Sequence, residues 1–232
     1  MESEGRRLHA LAAEAREKEQ FFDSLDFNDQ ALIAYDAAGD DAGYAEGLAC
    51  RSITLRVYAN LHESTRILTS AKYEMMGSVA IAQKCGDPTA LAMPLYNLAQ
   101  LHEDLEEYDD AVKVYSEALD SMQSNPPERH NRPAVVANMK IHMTTCEYKA
   151  GDTTALERAY QALADLEAAE DEDSYNRDVW LSGAHGRLAE ILRTVDPEKA
   201  REHLQKSKDI IDANPQLTIR KKQWEKLAAT FQ

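Results

Sequence analysis

Small and apolar residues recur along the chain at a spacing that fits one face of a helix. Sets spaced 0, +4 and +7 occur five times, and their first members are Ala31, Ala71, Ala111, Ala155 and Ala200. Residues at these intervals share a helix face, where small side chains let a neighbouring helix approach closely. Intervals of 40, 40, 44 and 45 residues between the sets predict a repeated helical unit.

A helix–turn–helix unit accounts for the residues between the sets. Another small residue stands about twelve residues before four of these sets, at Ala59, Ala99, Thr144 and Ala189. We therefore place a first helix before each second helix. The segments Gly151–Thr154 (GDTT) and Asp196–Lys199 (DPEK) predict tight turns, because glycine ends helices and proline is favoured at the first helical position. Paired prolines in Ser124–Pro133 (SNPPERHNRP) predict a longer break.

The composition agrees with helix nearly everywhere. The 232 residues are 44% hydrophobic, with 9 glycines and 7 prolines, and valine, isoleucine and threonine are sparse. This balance is typical of a folded helical protein and excludes a disordered chain. We predict a single all-α domain over residues 1–232, with an N-terminal helix at 1–24, repeats at 25–215 and a capping helix at 217–231.

A formal net charge of −15 limits the partners. It argues against a duplex nucleic-acid binder, which needs a basic face, and it is compatible with a protein or peptide that carries basic segments. Two acidic runs, Glu103–Asp110 and Glu167–Asp178, are interpreted as solvated turn surface, with docking of a basic segment as the alternative.

The cysteines and the apolar runs indicate the cellular compartment of the protein. Cys50, Cys85 and Cys146 show no metal-ligand or redox spacing, which favours a reducing, cytoplasmic setting. The N-terminal residues are charged and lack the apolar core of a signal peptide. No apolar run approaches the length of a membrane span, so we expect no membrane contact.

Two stretches forty residues apart begin alike, ANLHE (Ala59–Glu63) and AQLHE (Ala99–Glu103). We expect His62 and His102 to pack between the two helices of a unit, and the neighbouring glutamates to be solvated. A zinc-protease helix would need a second histidine four residues on, which neither stretch has. We expect no metal and no cofactor.

Catalytic motifs are missing from the sequence. It has no glycine-rich phosphate loop and no nucleophile elbow. The segment Ser182–Arg187 (SGAHGR) places Ser182 and His185 on one helix face without an orienting carboxylate, and its Gly183 and Gly186 favour close helix contact. We therefore expect no enzymatic activity, and an enzyme with an unrecognised site is the alternative from another functional class.

The segment Asn97–Leu119 (NLAQLHEDLEEYDDAVKVYSEAL) resembles a tetratricopeptide repeat (TPR). The matching positions are Leu98 and Ala99 on the first helix, Tyr108 before the second helix, and Ala111, Tyr115, Ala118 and Leu119 on it. The stretches AYDAAGDDAGYAEGLA and VAIAQKCGDPTALAMPL resemble the longer variant of about 40 residues. That variant occurs in peptide-sensing regulators and in polarity and kinesin-light-chain scaffolds. The resemblance implies a right-handed superhelical solenoid of about five helix-turn-helix pairs plus a C-terminal capping helix.

The same resemblance implies a binding groove. In such superhelices the first helix of each unit lines the concave side. The residues placed there are Arg56, Asn60, Tyr96, Asn97, Gln100, Asn138, Ile141, Thr145, Glu190 and Arg193. Amides, an aromatic ring and cations along a groove suit an extended peptide. We therefore expect a non-catalytic protein- or peptide-binding scaffold, with a regulatory sensor of a short signalling peptide as the alternative and self-association left open.

Some members of the family hold a C-terminal carboxylate in a clamp on three successive first helices. Arg56, Asn60 and Asn97 fall at its first places, but Asn138 and His142 stand where lysine and arginine are expected. A desolvated carboxylate needs charged donors, so the sequence does not favour a ligand of this kind.

Overall fold

The computed structural model describes residues 3–170 and 172–231 and is 80% helical. Within those residues the regular elements are eleven α-helices and a 3-10 turn at Pro88–Ala90. The chain divides into two compact units, Met1–Pro127 and Glu128–Gln232, at the proline-containing break that the sequence predicts. No helix in the described part of the chain is both long enough and apolar enough to cross a bilayer.

The first unit contains three helical hairpins, α1–α2, α3–α4 and α5–α6. Its helices are α1 (Glu4–Glu17), α2 (Phe21–Ala38), α3 (Asp41–His62), α4 (Thr65–Ala82), α5 (Ala92–Asp104) and α6 (Tyr108–Ser124). The first helices of the hairpins, α1, α3 and α5, contact one another in sequence, and the second helices α2 and α4 also pack on α3 and α5 respectively. The N-terminal helix predicted at 1–24 ends earlier, at Glu17, because a turn at Glu19 starts the second helix of the first hairpin.

The second unit contains two hairpins, α7–α8 and α9–α10, followed by one more helix. Its helices are α7 (Pro133–Lys149), α8 (Ala155–Glu167), α9 (Ser174–Leu192), α10 (Pro197–Ala213) and α11 (Thr218–Ala229). Helix α11 lies against α9 and α10. Gly183 and Gly186 of α9 face it, at Arg220 and Leu227, which agrees with the close helix contact expected from these glycines.

Four of the hairpins turn in the same way. Glu19, Glu63, Glu106 and Gly151 have positive φ angles of 59°, 56°, 61° and 111°. In each turn the amide of the next residue donates to a carbonyl five residues earlier, over 2.9 to 3.0 Å. This is the left-handed helix-ending motif that satisfies the last carbonyls of a helix. The turn, more than any side-chain motif, is what these four hairpins have in common.

The turns correct the register of the repeats. Their left-handed residues are 44, 43 and 45 positions apart along the chain, so the first two intervals of 40 residues read from the alanine sets are wrong. Leu68 and Ala111 each lie five residues after such a turn, whereas Ala71 lies eight residues after one. Ala71 and Ala111 are therefore not equivalent, although both are buried on their second helices.

Small buried residues on the second helices allow the close packing that the sequence predicts. Tyr35, Met75 and Tyr115 have at most 1% of their surface exposed, and each is flanked by buried alanine or serine on the same helix. A Cβ atom on Gly5 or Gly43 would overlap the Tyr35 ring. Helices α1 and α3 therefore approach α2 closely only because both positions lack a side chain.

Candidate functional site: the inner face of α3 and α5

An arginine–aspartate pair joins two first helices of the first unit. The Arg56 guanidinium on α3 donates to both carboxylate oxygens of Asp104 at the end of α5, over 2.5 and 3.2 Å. The two side chains are 15% and 16% exposed. A two-point contact of this kind fixes both side chains, because the guanidinium fork matches the carboxylate.

Side-chain amides extend this pair into a network. The Asn60 amide donates to Asp104 over 2.6 Å, and Arg56 also donates to the Gln100 carbonyl oxygen over 2.6 Å. The Gln100 amide in turn donates to the Tyr96 hydroxyl over 2.8 Å. Hydrogen bonds thus connect four residues that sequence analysis places in the groove, and a fifth residue, Asp104, joins Arg56 to Asn60.

Helical spacing explains why these residues meet. Arg56 and Asn60 are four apart on α3, and Tyr96, Gln100 and Asp104 are spaced by four along α5, so each set lies along one face. Sequence analysis missed Asp104 because it stands in an acidic run that reads as solvated turn. Its spacing from Gln100 and Tyr96 was the signal that could have found it.

The charges of the network compensate one another. Burial alone would lower the pKa of Arg56, but the Asp104 carboxylate raises it above its ordinary value. Arg56 is therefore always charged and already neutralised within the protein. A ligand carboxylate would have to compete with Asp104 for the same donors, so the structure favours a different kind of ligand here.

Asn97 differs from its neighbours in the network. It is half-buried on α5, one turn before Gln100, and its amide has no hydrogen-bond partner among residues 3–170 and 172–231. Three apolar residues near these positions in sequence are also half-buried: Met93, four residues before Asn97 on α5, and Ile53 and Val57, which share the helix face of Arg56 and Asn60 on α3. We call the surface formed by Ile53, Arg56, Val57, Asn60, Met93, Tyr96, Asn97, Gln100 and Asp104 the inner face.

The second unit places its candidate residues differently. Asn138, Ile141 and Thr145 of α7 are 7%, 0% and 1% exposed. The Thr145 hydroxyl donates to backbone carbonyls of its own helix. Ile141 and Thr145 therefore offer no side-chain surface to a partner. Glu190 and Arg193 on the α9 end are exposed, and Glu190 accepts from Lys149 over 2.9 Å. His142, at the last clamp position, is 5% exposed.

The two repeated histidines occupy different environments. The prediction that both pack between helices is wrong for His62, which is exposed and stacks on the Tyr58 ring at 4.2 Å. His102 is half-buried, and its Nδ1 lies 2.6 Å from Glu107. The expectation that both glutamates are solvated holds for Glu63 and is wrong for Glu103, which is 6% exposed and accepts from the Tyr115 hydroxyl over 2.8 Å.

Potential metal ligands also gather around His102. Ligand atoms of His102, Glu107 and Asp110 lie within 4.8 Å of one another. Lys72, however, holds both oxygens of Glu107 over 2.8 Å. Burial opposes ionisation of Glu107, but hydrogen bonds from Lys72 and His102 keep its pKa below the ordinary value. A cation would have to displace the Lys72 ammonium group, so this cluster is better explained as an ion pair that joins α4 to the α5–α6 turn.

Ser182 and His185 do not form a nucleophile–base pair. The Ser182 hydroxyl donates to the Asp178 carbonyl over 2.6 Å. The Nδ1 of His185 lies 3.0 Å from the Nδ1 of His203, and both rings are buried. Burial, with the neighbouring His203 and Lys206, lowers the pKa of His185 to about 4. Burial also lowers the pKa of His203, so both rings are neutral near pH 7 and pack α9 against α10.

The comparisons with known proteins concern the fold. No protein-family model matches the chain, and no curated protein matches it. Several solved structures do. A putative kinesin light chain from Podosopora anserina, with nearly identical TPR-like repeats, is 14% identical over 92% of this chain and 99% of that chain, with a TM-score of 0.57.

Two further structures extend the comparison. A Rap protein complexed with Competence and Sporulation Factor is 14% identical over all of this chain and 66% of that chain, with a TM-score of 0.61. BtubC (BKLC) from P. vanneervenii is 18% identical over 91% of this chain and 92% of that chain, with a TM-score of 0.50. The chain therefore has the all-α, tetratricopeptide-like repeat fold.

Proposed function

We propose that the chain is a non-catalytic scaffold that binds a protein segment or peptide on the inner face of α3 and α5. The half-buried amide of Asn97, which has no hydrogen-bond partner in the described part of the chain, carries this proposal. An amide can donate to and accept from a peptide backbone at once, and a half-buried one gains more from such a partner than an exposed one.

The surroundings of Asn97 fit an extended segment. Gln100 and Tyr96 are fixed by Arg56 and by each other, so they lose little freedom when a ligand binds. Ile53, Val57 and Met93 supply half-buried apolar surface between the polar groups. This alternation suits a ligand whose backbone meets the amides while its side chains meet the apolar positions.

Charge selects among such ligands. With −15 overall, the chain attracts cationic segments over long range. We infer that the ligand carries lysine or arginine and that added salt weakens its binding, because surface charges are screened. In the second unit, taken by itself, the exposed Glu190 and Arg193 at the end of α9 are proposed as a separate partner contact, and Asn138, which is 7% exposed, has at most a marginal part.

A second candidate function is a sensor that binds a short signalling peptide. The structural likeness to a Rap protein complexed with Competence and Sporulation Factor favours it, at a TM-score of 0.61. It uses the same surface, and it adds the requirement that the peptide changes the conformation of the chain. Scattering with and without the bound peptide separates the two functions.

Selection of displayed peptides tests the proposal. A library of short linear peptides is selected on the full chain, and the enriched peptides are titrated against Asn97→Ala. The matched control is Gln123→Ala, which removes an exposed amide from the last turn of α6. Loss of one hydrogen bond should weaken binding about two- to tenfold for Asn97→Ala alone. If Asn97→Ala, Gln123→Ala and the native chain bind the peptides with equal affinity, the inner face is not the binding site.

A further inference from the structure

The second helix of the first hairpin, α2, exposes two large apolar side chains. Phe22 is 79% exposed and Ile33 is 70% exposed. On the opposite side of the same helix Phe21, Ala31 and Tyr35 are buried. The packing of α2 within the first unit is therefore complete without Phe22 and Ile33, and single apolar residues need no explanation unless they form a pattern.

A pattern is present on α2. Phe22, Asp26, Asp29, Ile33 and Asp36 are spaced by four, three, four and three residues. At about 100° per residue these five side chains fall within one narrow strip of the helix surface. Alternating steps of three and four are the spacing through which one helix packs against another. We call these five residues the outer seam.

The seam is acidic as well as apolar. Helix α2 carries Asp23, Asp26, Asp29 and Asp36 and has no lysine, arginine or histidine. Asp29 is paired with Arg51 over 2.7 Å. Asp26 accepts a hydrogen bond from Gln30 over 3.0 Å, and neither Asp26 nor Asp36 forms an ion pair with any residue that the structure describes.

The position of Asp36 is unfavourable without a partner. It lies in the last turn of α2, where the helix dipole presents negative charge and disfavours a carboxylate. A cation placed beside Asp36 would compensate both the carboxylate and the helix end. An anionic lipid surface would instead be repelled by the four aspartates, so the charge favours a protein partner over a membrane.

We propose that the outer seam docks a basic amphipathic helix of a partner protein. Its lysine or arginine side chains face Asp26 and Asp36, and its apolar side chains cover Phe22 and Ile33. This contact is separate from the inner face, since it uses a second helix and shares no residue with α3 or α5. The chain would then hold two partners, or two segments of one partner, at once.

The probe for this contact is a synthetic helical peptide with leucines and lysines at the complementary three–four spacing. Its binding to the full chain is measured by fluorescence anisotropy. We expect the double variant Phe22→Ser/Ile33→Ser to weaken binding at least about tenfold, since it removes both apolar contacts. Asp26→Asn/Asp36→Asn should weaken it about fivefold at low salt and less at high salt.

Matched controls distinguish loss of this contact from unfolding and from non-specific binding. All four substituted side chains are exposed, so the variants should keep the circular dichroism and melting temperature of the native chain. Tyr73→Ser removes an apolar side chain that is 65% exposed on α4 and should leave binding unchanged, as should Asn97→Ala. A version of the peptide with glutamate in place of lysine should not bind.

Several outcomes would overturn the proposal. If the peptide does not bind, or binds the Phe22→Ser/Ile33→Ser variant as tightly as the native chain, the outer seam is not a docking site. If Asn97→Ala weakens binding of the peptide, the peptide binds the inner face and not the outer seam. The proposed scaffold function would then still hold. Concentration-dependent self-association that Ile33→Ser abolishes would assign the seam to a second copy of the chain.

Discussion

The end of α3 and the end of α5 carry nearly the same five residues, ANLHE and AQLHE, in different structural positions. His62 directly precedes the left-handed turn residue Glu63, whereas His102 stands four residues before its turn residue, Glu106. The second stretch is thus shifted by almost one helical turn. Identical residues therefore point in different directions, and position relative to the turn decides what each one contacts.

This shift also produces the inner face. Because α5 continues past His102, Asp104 remains on the helix and reaches Arg56 and Asn60 on α3. At the end of α3 the chain has already turned at Glu63, and the residue two positions after His62 is Ser64, which caps α4. One copy of the stretch ends its helix, and the other supplies the carboxylate that joins two hairpins.

The largest expected effect comes from cutting the link between the two helices. Arg56→Met leaves the Asp104 carboxylate largely buried without its cation, and we expect a loss of about 3 kcal/mol in the free energy of unfolding. Urea denaturation measures it. The double variant Arg56→Met/Asp104→Leu should recover most of the loss, because no unpaired charge remains. A loss below about 1 kcal/mol for the single variant would show that the pair behaves as a surface ion pair.

Replacing the glutamates gives the next contrast. Glu103→Ala removes the buried carboxylate that accepts from the Tyr115 hydroxyl over 2.8 Å and should lower the free energy of unfolding by about 2 kcal/mol. Glu63→Ala changes an exposed turn residue and should stay within about 0.5 kcal/mol of the native chain. Equal effects in parallel denaturation curves would mean that the two stretches are equivalent after all.

The histidines give the smallest contrast. His102→Ala loses a hydrogen bond to Glu107, worth about 1 kcal/mol, and should lower the melting temperature by about 3 °C. His62→Ala should leave the melting temperature almost unchanged, because the ring is exposed and loses only its stacking on Tyr58. Chelators should affect neither variant. A larger drop for His62→Ala would contradict the assigned register.

Sequence patterns predicted the fold well because they depend on local physics. Small residues at helical spacing indicated the second helices, and the capping turn at Asp196 has the predicted proline and the side-chain cap, accepting from the Lys199 amide over 3.2 Å. The break at Ser124–Pro133 likewise separates two units. Helix spacing, helix caps and proline breaks each depend on only a few neighbouring residues, so they can be predicted from short stretches of sequence.

The register and the site were harder, because they depend on turns that have no fixed sequence. Three of the four shared turns put glutamate, and not glycine, in the left-handed conformation, so the alanines and the repeated histidines were aligned instead. That alignment gave intervals of 40 where the turns give 44 and 43. The alignment still assigned Arg56, Asn60, Tyr96 and Gln100 to one surface, because a shift of about one helical turn leaves a residue on the same helix face. It did not identify Asp104.

If the inner face of α3 and α5 binds a peptide, as proposed, the side-chain amide of Asn97 reports on that binding directly. A ¹⁵N-labelled full chain is titrated with a peptide from the display selection, and the Asn97 side-chain resonance is assigned through Asn97→Ala. We predict that this resonance shifts and saturates with the binding curve, while that of Gln123 on α6 stays in place. Shifts confined to second helices or to α11, with Asn97 unmoved at saturation, would contradict the account.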